Sequence, residues 1–581
     1  MAKQVGQLKL FICGLAALLF ISPVVHAQNL PEPIVAGQAR TLPVAARSGM
    51  VVAQEGRAAR IGVDILKQGG NAVDAAIATG FALAVTLPRA GNIGGGGFML
   101  VHLAGRGTIA IDYRETAPAS ATADMFLDAQ GRFVPAKSQS SGLGVGVPGT
   151  IAGFALAHEK YGSGKFTLAQ LLQPAIALAR EGFEVEGDLA YSLGEIGTRV
   201  LRYASSRAIF ARPDGTPLRD GDRLVQRDLA ASLTRVAEQG VDGFYRGETA
   251  QRLVASVREA GGVMTLEDLR TYRAIERPVL EGRYRDRTIV SMPPPSSGGA
   301  HLIQLLNILE AWPLTELGHN SAASIHRMVE AMKLAYADRE VFLGDPDFVK
   351  VPVNGLLSKA YAAQLRSQID LERARPSAEI KSGDPLPHES DQTTHFSVVD
   401  VHGNAVANTY TLNFSYGLGL VAEGTGILVN NELDDFAATI GAANAFGLRG
   451  AQANAPAPNK RPLSSMTPAM VFRNGELEIV TGSPGGSRII TTVLQIILNI
   501  VDHGMNAAEA SEAVRVHHQL YPDELRIERG LSIDTIRLLQ GKGHQLRQSR
   551  TMGSTQTIHR VGNFLYGAAD TRQLGTAAIG Y

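Results

Sequence analysis

The stretch Asp391-Gln392-Thr393-Thr394-His395-Phe396-Ser397-Val398-Val399-Asp400 decides how this chain is read. It follows Pro385-Leu386-Pro387-His388-Glu389-Ser390, so a polar, proline-containing segment runs directly into a strand that begins with two threonines. Thr-Thr is ordinary in strands, because β-branched side chains fit a pleated surface. A cut before Thr393 changes its chemistry. The hydroxyl and a new α-amine then sit on one residue, nucleophile and local base together. Beyond the turn-rich Val401-His402-Gly403-Asn404, a second run from Ala405 to Asn413 completes a hairpin. Folding near His402 makes partner positions sum to about 804 and sets Thr393 opposite Thr411, whereas a one-residue slip would send the side chains to opposite faces. A Thr–Thr cross-strand pair that only stabilises the sheet is the alternative at this point.

The surrounding composition fits a folded enzyme. The chain has 581 residues, 45% hydrophobic and 19% charged, a charged share below the usual quarter and typical of a well-buried globular protein. Lys+Arg and Asp+Glu are equal at 55 each, so net charge gives no argument for nucleic acid or an anionic membrane. Lys3 and Lys9, the apolar run Leu10 to Val25 and the small-residue site Val25-His26-Ala27 read as a cleavable signal peptide over residues 1–27. The run is short for a membrane span of about 20 residues. Cys13 is the only cysteine and lies within that leader. A mature chain therefore has no disulfide framework, cysteine nucleophile or cysteine-ligated metal, as suits a bacterial periplasm or the extracellular space.

The sequence predicts helices over Gly56 to Lys67, over Ala72 to Leu87 behind an Asn71 N-cap, and over Ser321 to Leu343 with Ile325, Met328, Val329, Met332 and Tyr336 on its apolar face. Residues 373–392, with three prolines and little apolar pattern, read as a mobile, cleavable linker. It separates 28–392 from 393–581, neither of which has the look of an ordinary tandem domain.

Polar groups cluster beyond the hairpin. Asn430-Asn431-Glu432-Leu433-Asp434-Asp435-Phe436 is acidic and amide-rich, and Lys460-Arg461-Pro462-Leu463-Ser464-Ser465 sets two hydroxyls beside a proline-constrained turn. Ser483-Pro484-Gly485-Gly486-Ser487-Arg488 enters an apolar helix, Ile489 to Ile500. A Gly pair at a helix N-terminus brings backbone N–H groups close to a ligand and suits an oxyanion hole, although such pairs are commonly only turns. Gly94-Gly95-Gly96-Gly97 reads as tight packing near the site, since no phosphate-loop lysine follows. His395 and His517-His518 lack an acidic ligand pattern and read as structural, so no metal or cofactor is expected.

These segments, with Gly91 to Phe98, Asp112-Tyr113-Arg114-Glu115-Thr116-Ala117-Pro118 and Met292-Pro293-Pro294-Pro295-Ser296-Ser297-Gly298-Gly299, resemble in order the γ-glutamyltransferases of the N-terminal nucleophile hydrolase superfamily. The resemblance covers nearly all the mature chain. It implies an α+β fold, the four-layer αββα sandwich, and self-cleavage between Gln392 and Thr393 into a large subunit (28–392) and a small subunit (393–581) that stay packed as a heterodimer. It implies Thr393 as nucleophile, Thr411 as its orienting partner, and Gly485 and Gly486 as oxyanion donors. Arg114, Ser464 and Ser465 would take the substrate α-carboxylate, and Asn413, Glu432 and Asp435 the α-ammonium. A bidentate Arg–carboxylate pair suits the first role. A structural ion pair of Arg114 with Glu115 or another acid is the plain alternative.

The implied activity is cleavage of γ-glutamyl amides such as glutathione through a γ-glutamyl-threonine ester. The acyl group passes to water or to amino acid or dipeptide acceptors. Bacterial members often carry Gln where Glu432 stands, and Phe446 takes the place of a tyrosine in the lid loop, which removes a hydroxyl contact. A cephalosporin or glutaryl acylase on the same scaffold and an exported γ-glutamyl peptide binding protein are the alternatives. The zwitterion-binding set argues against the first, and the intact Thr393, Thr411 and Gly485-Gly486 set against the second.

Overall fold

Period-two alternation along the hairpin divides its side chains between two cores. Phe396 and Val398 face a helix-lined cluster, while Val399, Ala405 and Ala407 face a cluster shared with a second sheet. The computed structural model describes residues 41–383, 394–439, 443–445, 447–448 and 451–581. The signal-peptide reading, the Gln392-Thr393 junction and Phe446 lie outside the described residues.

Two seven-stranded antiparallel sheets form the middle layers. One runs Ala577–Gly580, Gly49–Ala53, Thr394–Asp400, Ala405–Thr411, Gly96–Leu103, Gly107–Asp112, Ile275–Arg277. The other runs Val44–Ala46, Phe564–Ala569, Gln556–Val561, Glu476–Thr481, Ala469–Arg473, Arg287–Ser291, Leu280–Tyr284. Met50, Val52, Phe98 and Leu100 meet Val290, Met470, Val480 and Ile558 between them. Helices Gly56–Lys67 and Ala72–Thr86 cover the outer face of the first sheet, and Gly298–Leu309, Ala322–Phe342 and Arg488–Val501 that of the second. This is the four-layer αββα sandwich. Each sheet contains strands from both sides of the 384–393 segment, which is why neither part resembles a tandem domain.

The predicted helices form where their caps direct. Asn71 Oδ1 accepts from the Val73 and Asp74 N–H groups at 3.0 Å, and Asp74 returns a bond to the Asn71 N–H at 2.9 Å. Every residue of Ala72–Thr86 is buried, as an apolar surface on all sides requires. Ala322–Phe342 differs from its one-faced pattern. Glu330, Lys333, Asp338 and Arg339 are buried along with the apolar stripe, because they find partners inside: Lys333 Nζ donates to Glu330 at 2.8 Å, and Gln304 Nε2 to Asp338 at 2.6 Å.

The linker expectation holds less well over its first part. Residues 373–383 are tied to the body, with Ala374 N–H donating to Lys542 O at 2.7 Å, Ser377 N–H to Asp523 Oδ2 at 2.8 Å, and Ile380 buried. Composition alone could not show these backbone bonds.

The glycine run packs as anticipated. A Cβ on Gly95 would lie 2.0 Å from the Thr411 carbonyl oxygen, a backbone atom at the end of the central hairpin. Gly95→Ala therefore lowers stability by about 3 kcal/mol, which for a body of this size moves the apparent Tm by about 3 °C. Gly194→Ala, in a helix interior with nothing within 4 Å of the added Cβ, leaves Tm unchanged or raises it.

Candidate active site

The hairpin register is the one predicted. Thr394 pairs with Tyr410, His395 with Thr409 and Val399 with Ala405, each pair summing to the anticipated value. Thr411 ends its strand opposite Gly96 on the other side. Its carbonyl accepts from Asn92 Nδ2 at 2.8 Å, and Asn92 Oδ1 accepts from Gly95 N–H at 3.0 Å and from Thr150 Oγ1 at 2.8 Å. One asparagine thus locks the glycine run onto the strand end. Thr411 Oγ1 accepts from Asn413 N–H at 2.8 Å, and Asn413 adopts a positive φ of 71° that turns the chain out of the sheet.

Asn430 organises the acidic segment. Its Nδ2 donates to Gly94 O at 2.9 Å and Gly146 O at 2.8 Å, and its Oδ1 accepts from Gly146 N–H at 2.8 Å and Glu432 N–H at 3.0 Å. Glu432–Asp435 then forms a short 3-10 turn that aims Glu432 and Asp435 at Arg114. Arg114 is buried. It donates to Glu432, to Asp435 at 2.5 Å, and through Nε and Nη2 to the Pro462 and Leu463 carbonyls at 3.1 Å each. Asn454 ties the two sides together: Nδ2 donates to Asp435 O at 2.7 Å, and Oδ1 accepts from Leu463 N–H at 3.2 Å. Ser464 and Ser465 follow, both buried, and Ser465 Oγ accepts from Arg339.

The structure therefore brings Arg114, Glu432, Asp435, Ser464 and Ser465 to one place, but with Arg114 paired to the two carboxylates. The plain alternative is also present, since Glu115 Oε2 lies 3.8 Å from the same guanidinium. Burial opposes the Arg114 charge, but Glu432, Asp435 and Glu115 outweigh it and hold its pKa above the ordinary value. Burial and the neighbouring Glu432 push Glu115 well up, against the opposing pull of Arg114. Glu432 is raised by burial and pulled back by Arg114. Of the pair, Glu115 is pushed well above the ordinary carboxylate range, whereas Arg114 holds Glu432 back. Among the described residues, Asn413 Oδ1, Asn431 Nδ2 and Glu432 Oε2 are buried without a hydrogen-bond partner. Native interiors leave few such atoms, and a cluster of them marks a place for a polar ligand.

Gly485 and Gly486 have φ of 137° and 69° and lead into Arg488–Val501, so the predicted Gly pair does precede a helix N-terminus. Gly485, Thr411 and Asn413 line one wall of a cavity of about 510 Å³. His395 fits the structural reading. Its ring lies between Thr409 Oγ1 at 2.8 Å and Ser397 Oγ at 3.0 Å, and burial lowers its pKa to about 3. His517 is likewise engaged by Thr491 and Gln519. A different trio, His326, Glu330 and His544, has ligating atoms within 4.8 Å of one another, joined instead by a His326–His544 hydrogen bond and the Glu330–Lys333 ion pair.

Several positioning residues escaped the sequence reading: Asn92, Asn430, Asn454 and Arg339. Asn92 follows Gly91 in a glycine-rich stretch already quoted and Asn430 opens the quoted acidic segment, and those positions were the available signal. Arg339 lies over a hundred residues from Ser465 and left none.

A gamma-glutamyltranspeptidase family model matches residues 58–580. The chain belongs to the gamma-glutamyltranspeptidase family. It is 54% identical over 542 residues to the glutathione hydrolase proenzyme of Escherichia coli (strain K12), covering 93% of each. It is 37% identical to the acylase ACY 1 proenzyme of Pseudomonas sp. (strain SE83), over 92% of this chain and 94% of the relative. Among solved structures, a cephalosporin acylase from Bacillus halodurans superposes with a TM-score of 0.83 at 29% identity, over 95% of this chain and 98% of the other. Glutathione hydrolases and acylases are thus both among the proteins to which this chain is similar.

The Glu115 proton gives a testable sign. Its folded pKa is raised, so the folded state retains a proton that the unfolded chain releases above about pH 4.5, and this contribution to stability falls as pH rises. Glu115→Gln keeps a donor toward Glu432 and cannot ionise. Its Tm relative to wild type should therefore climb as pH is raised from about 4 to about 7, read by scanning fluorimetry; a pH-independent difference would show Glu115 ionised in the fold.

Proposed function

We propose that this chain is a γ-glutamyl acyltransferase and glutathione hydrolase, made as a precursor that cuts itself between Gln392 and Thr393. The observation that carries the reading is the shared guanidinium of Arg114, held between Glu432 and Asp435 in a buried site with unsatisfied polar atoms around it. A free amino-acid head fits this arrangement by exchange of partners. Its α-carboxylate takes the Arg114 fork, with Ser464 and Ser465 beside it, while the released Glu432 and Asp435, with Asn413 Oδ1, take the α-ammonium. Each buried charge keeps a partner throughout, which is what desolvated charges require.

The chemistry is acyl transfer. The Thr393 hydroxyl attacks the γ-carbonyl, its proton passing to the α-amine, and the tetrahedral oxyanion is held by the Gly485 and Gly486 N–H groups. The C–N bond breaks as the leaving nitrogen takes up that proton, giving a γ-glutamyl ester and a free amine. Water then yields glutamate, and an amino acid or dipeptide amine yields a new γ-glutamyl compound. Thr411, locked by Asn92 and Asn413, orients Thr393. Self-cleavage uses the same hydroxyl on the Gln392 carbonyl. It leaves a large subunit (28–392) and a small subunit (393–581) interleaved in both sheets. The leader over residues 1–27 supports a periplasmic or secreted location. Among the described residues no helix is long and apolar enough to cross a membrane.

A glutaryl group lacks the ammonium and would strand two buried carboxylates whose cation it has taken. Leaving a buried charge unpaired costs about 3–5 kcal/mol. Wild-type kcat/KM for glutaryl-p-nitroanilide should fall about 100-fold or more below that for γ-glutamyl-p-nitroanilide. Equal rates would favour the acylase reading. Thr393→Ala should run as one uncleaved chain on a denaturing gel, and mass spectrometry of wild type incubated with a γ-glutamyl donor should find a small-subunit N-terminus at Thr393 carrying the acyl group. Two fragments from the variant would sink the self-processing claim.

A further inference from the structure

His326, Glu330 and His544 form a buried cluster that the acyl-transfer chemistry does not use. His326 and Glu330 lie one turn apart on the helix Ala322–Phe342 and so share a face. Arg339, which reaches Ser465, is about 20 Å further along the same helix, so the cluster stands well away from the charged site. His544 follows the helix Ile533–Gly541, on the other side of the 384–393 segment. Nothing local joins it to the pair, for it lies 218 residues beyond His326. One nitrogen of each ring and a Glu330 carboxylate oxygen all fall within 4.8 Å of one another.

The existing hydrogen bonds already dispose these groups as ligands. His326 Nε2 lies 2.7 Å from the Asp370 carbonyl oxygen, which only accepts, so this nitrogen carries the proton. Its Nδ1 is then a lone pair, and it accepts from His544 Nε2–H at 2.8 Å. A backbone carbonyl on the remote N–H is the usual outer partner of a metal-bound histidine, because it fixes both tautomer and ring orientation. Glu330 Oε1 accepts from Lys333 Nζ at 2.8 Å, while Oε2 accepts a longer bond from Arg375 N–H at 3.3 Å. Lys333 is the one cation against the cluster, and its charge does not rest on Glu330 alone. It donates to the Arg375 carbonyl at 2.7 Å and lies in the field of Asp523.

We propose that His326 Nδ1, His544 Nε2 and the Glu330 carboxylate bind one divalent transition-metal ion, zinc by preference, as a staple between the two sides of the 384–393 segment. Two imidazoles and a carboxylate suit zinc, whereas calcium and magnesium take oxygen ligands. The proton on His544 Nε2 transfers to Nδ1 of the same ring, which frees the second lone pair without changing the charge of the ring. The two nitrogens open from 2.8 Å to about 3.3 Å to accept Zn–N bonds of about 2.0–2.1 Å, and a water completes the tetrahedron. Lys333 keeps its bonds to Glu330 Oε1 and the Arg375 carbonyl. The ion would then join the helix Ala322–Phe342 to the C-terminal side, where Ala374 already docks on Lys542. The site itself is independent of the γ-glutamyl reading; only its place between two subunits rests on the proposed cut.

The test is metal binding by the whole protein, stripped with a chelator and titrated with zinc alone. Wild type should take up one zinc per chain with a Kd below about 50 µM, and excess calcium or magnesium should not displace it. Cobalt in place of zinc should give the visible absorption of a four-coordinate centre. Free zinc at about a hundredfold excess over Kd should raise the Tm by about 3 °C. His544→Gln and Glu330→Gln, which change different segments, should each weaken zinc binding at least about tenfold and remove the cobalt band. A wild-type Kd above about 50 µM, or binding unchanged in His544→Gln, overturns the site. In cleaved protein, zinc should raise the urea midpoint for separation of the two pieces in wild type and not in His544→Gln. Zinc bound with no such rise overturns the staple. Release of p-nitroaniline is no part of these readouts, so either failure leaves γ-glutamyl transfer standing.

Discussion

The antiparallel register of Thr394–Asp400 against Ala405–Thr411 is the constraint on which the rest of the structure depends. A slip of one residue would exchange Val398 for Val399 between two different cores, and every strand of the sheet would have to follow. The register is secured from both flanks. Gly49–Ala53 pairs with one side of the hairpin and Gly96–Leu103 with the other, so the hairpin has no free edge. The same register fixes where Thr411 ends its strand. Asn92 and Gly95 then grip the Thr411 carbonyl, and the close approach tolerates no side chain at Gly95.

A second constraint is electrostatic. Arg114, Glu115, Glu432 and Asp435 are all taken out of water within one cluster. Four ionised groups there would carry two uncompensated negative charges, and burial with Glu432 alongside pushes Glu115 toward its neutral form. The remaining carboxylates share one guanidinium, and Glu432 Oε2 is left without a donor. In the proposed reading, such a cluster suits a ligand that brings both a cation and an anion.

Much of this was legible in the sequence because it is local. The hairpin lies in alternation around a Gly-containing turn, the Asn71 helix in its cap, and the clustered polar residues in short contiguous motifs. Resemblance to a known family then assembled motifs that no periodicity could bring together. What stayed hidden is long-range and polar. Arg339 reaches Ser465 from a helix whose pattern marked its charged face for solvent. Residues 373–383 carry the composition of a free linker, yet dock through backbone bonds to Lys542 and Asp523 that composition cannot encode. An ion pair of Arg114 with some acid was open as an alternative, but nothing local named Glu432 and Asp435, 318 and 321 residues away, as its partners.

The docked linker bears on how a cut chain would hold together. Several contacts on the N-terminal side of the 384–393 segment are made with residues far beyond it: Ala374 with Lys542, Ser377 with Asp523, His326 with His544. Both sheets also combine strands from the two sides. Scission between Gln392 and Thr393 would therefore remove one covalent bond and leave these sheet pairings and interior contacts in place. The entropy released is confined to the freed ends, because the chain up to residue 383 is already anchored. Separation of the pieces would require opening both sheets, so the cut can create a new α-amine without loosening the site that uses it.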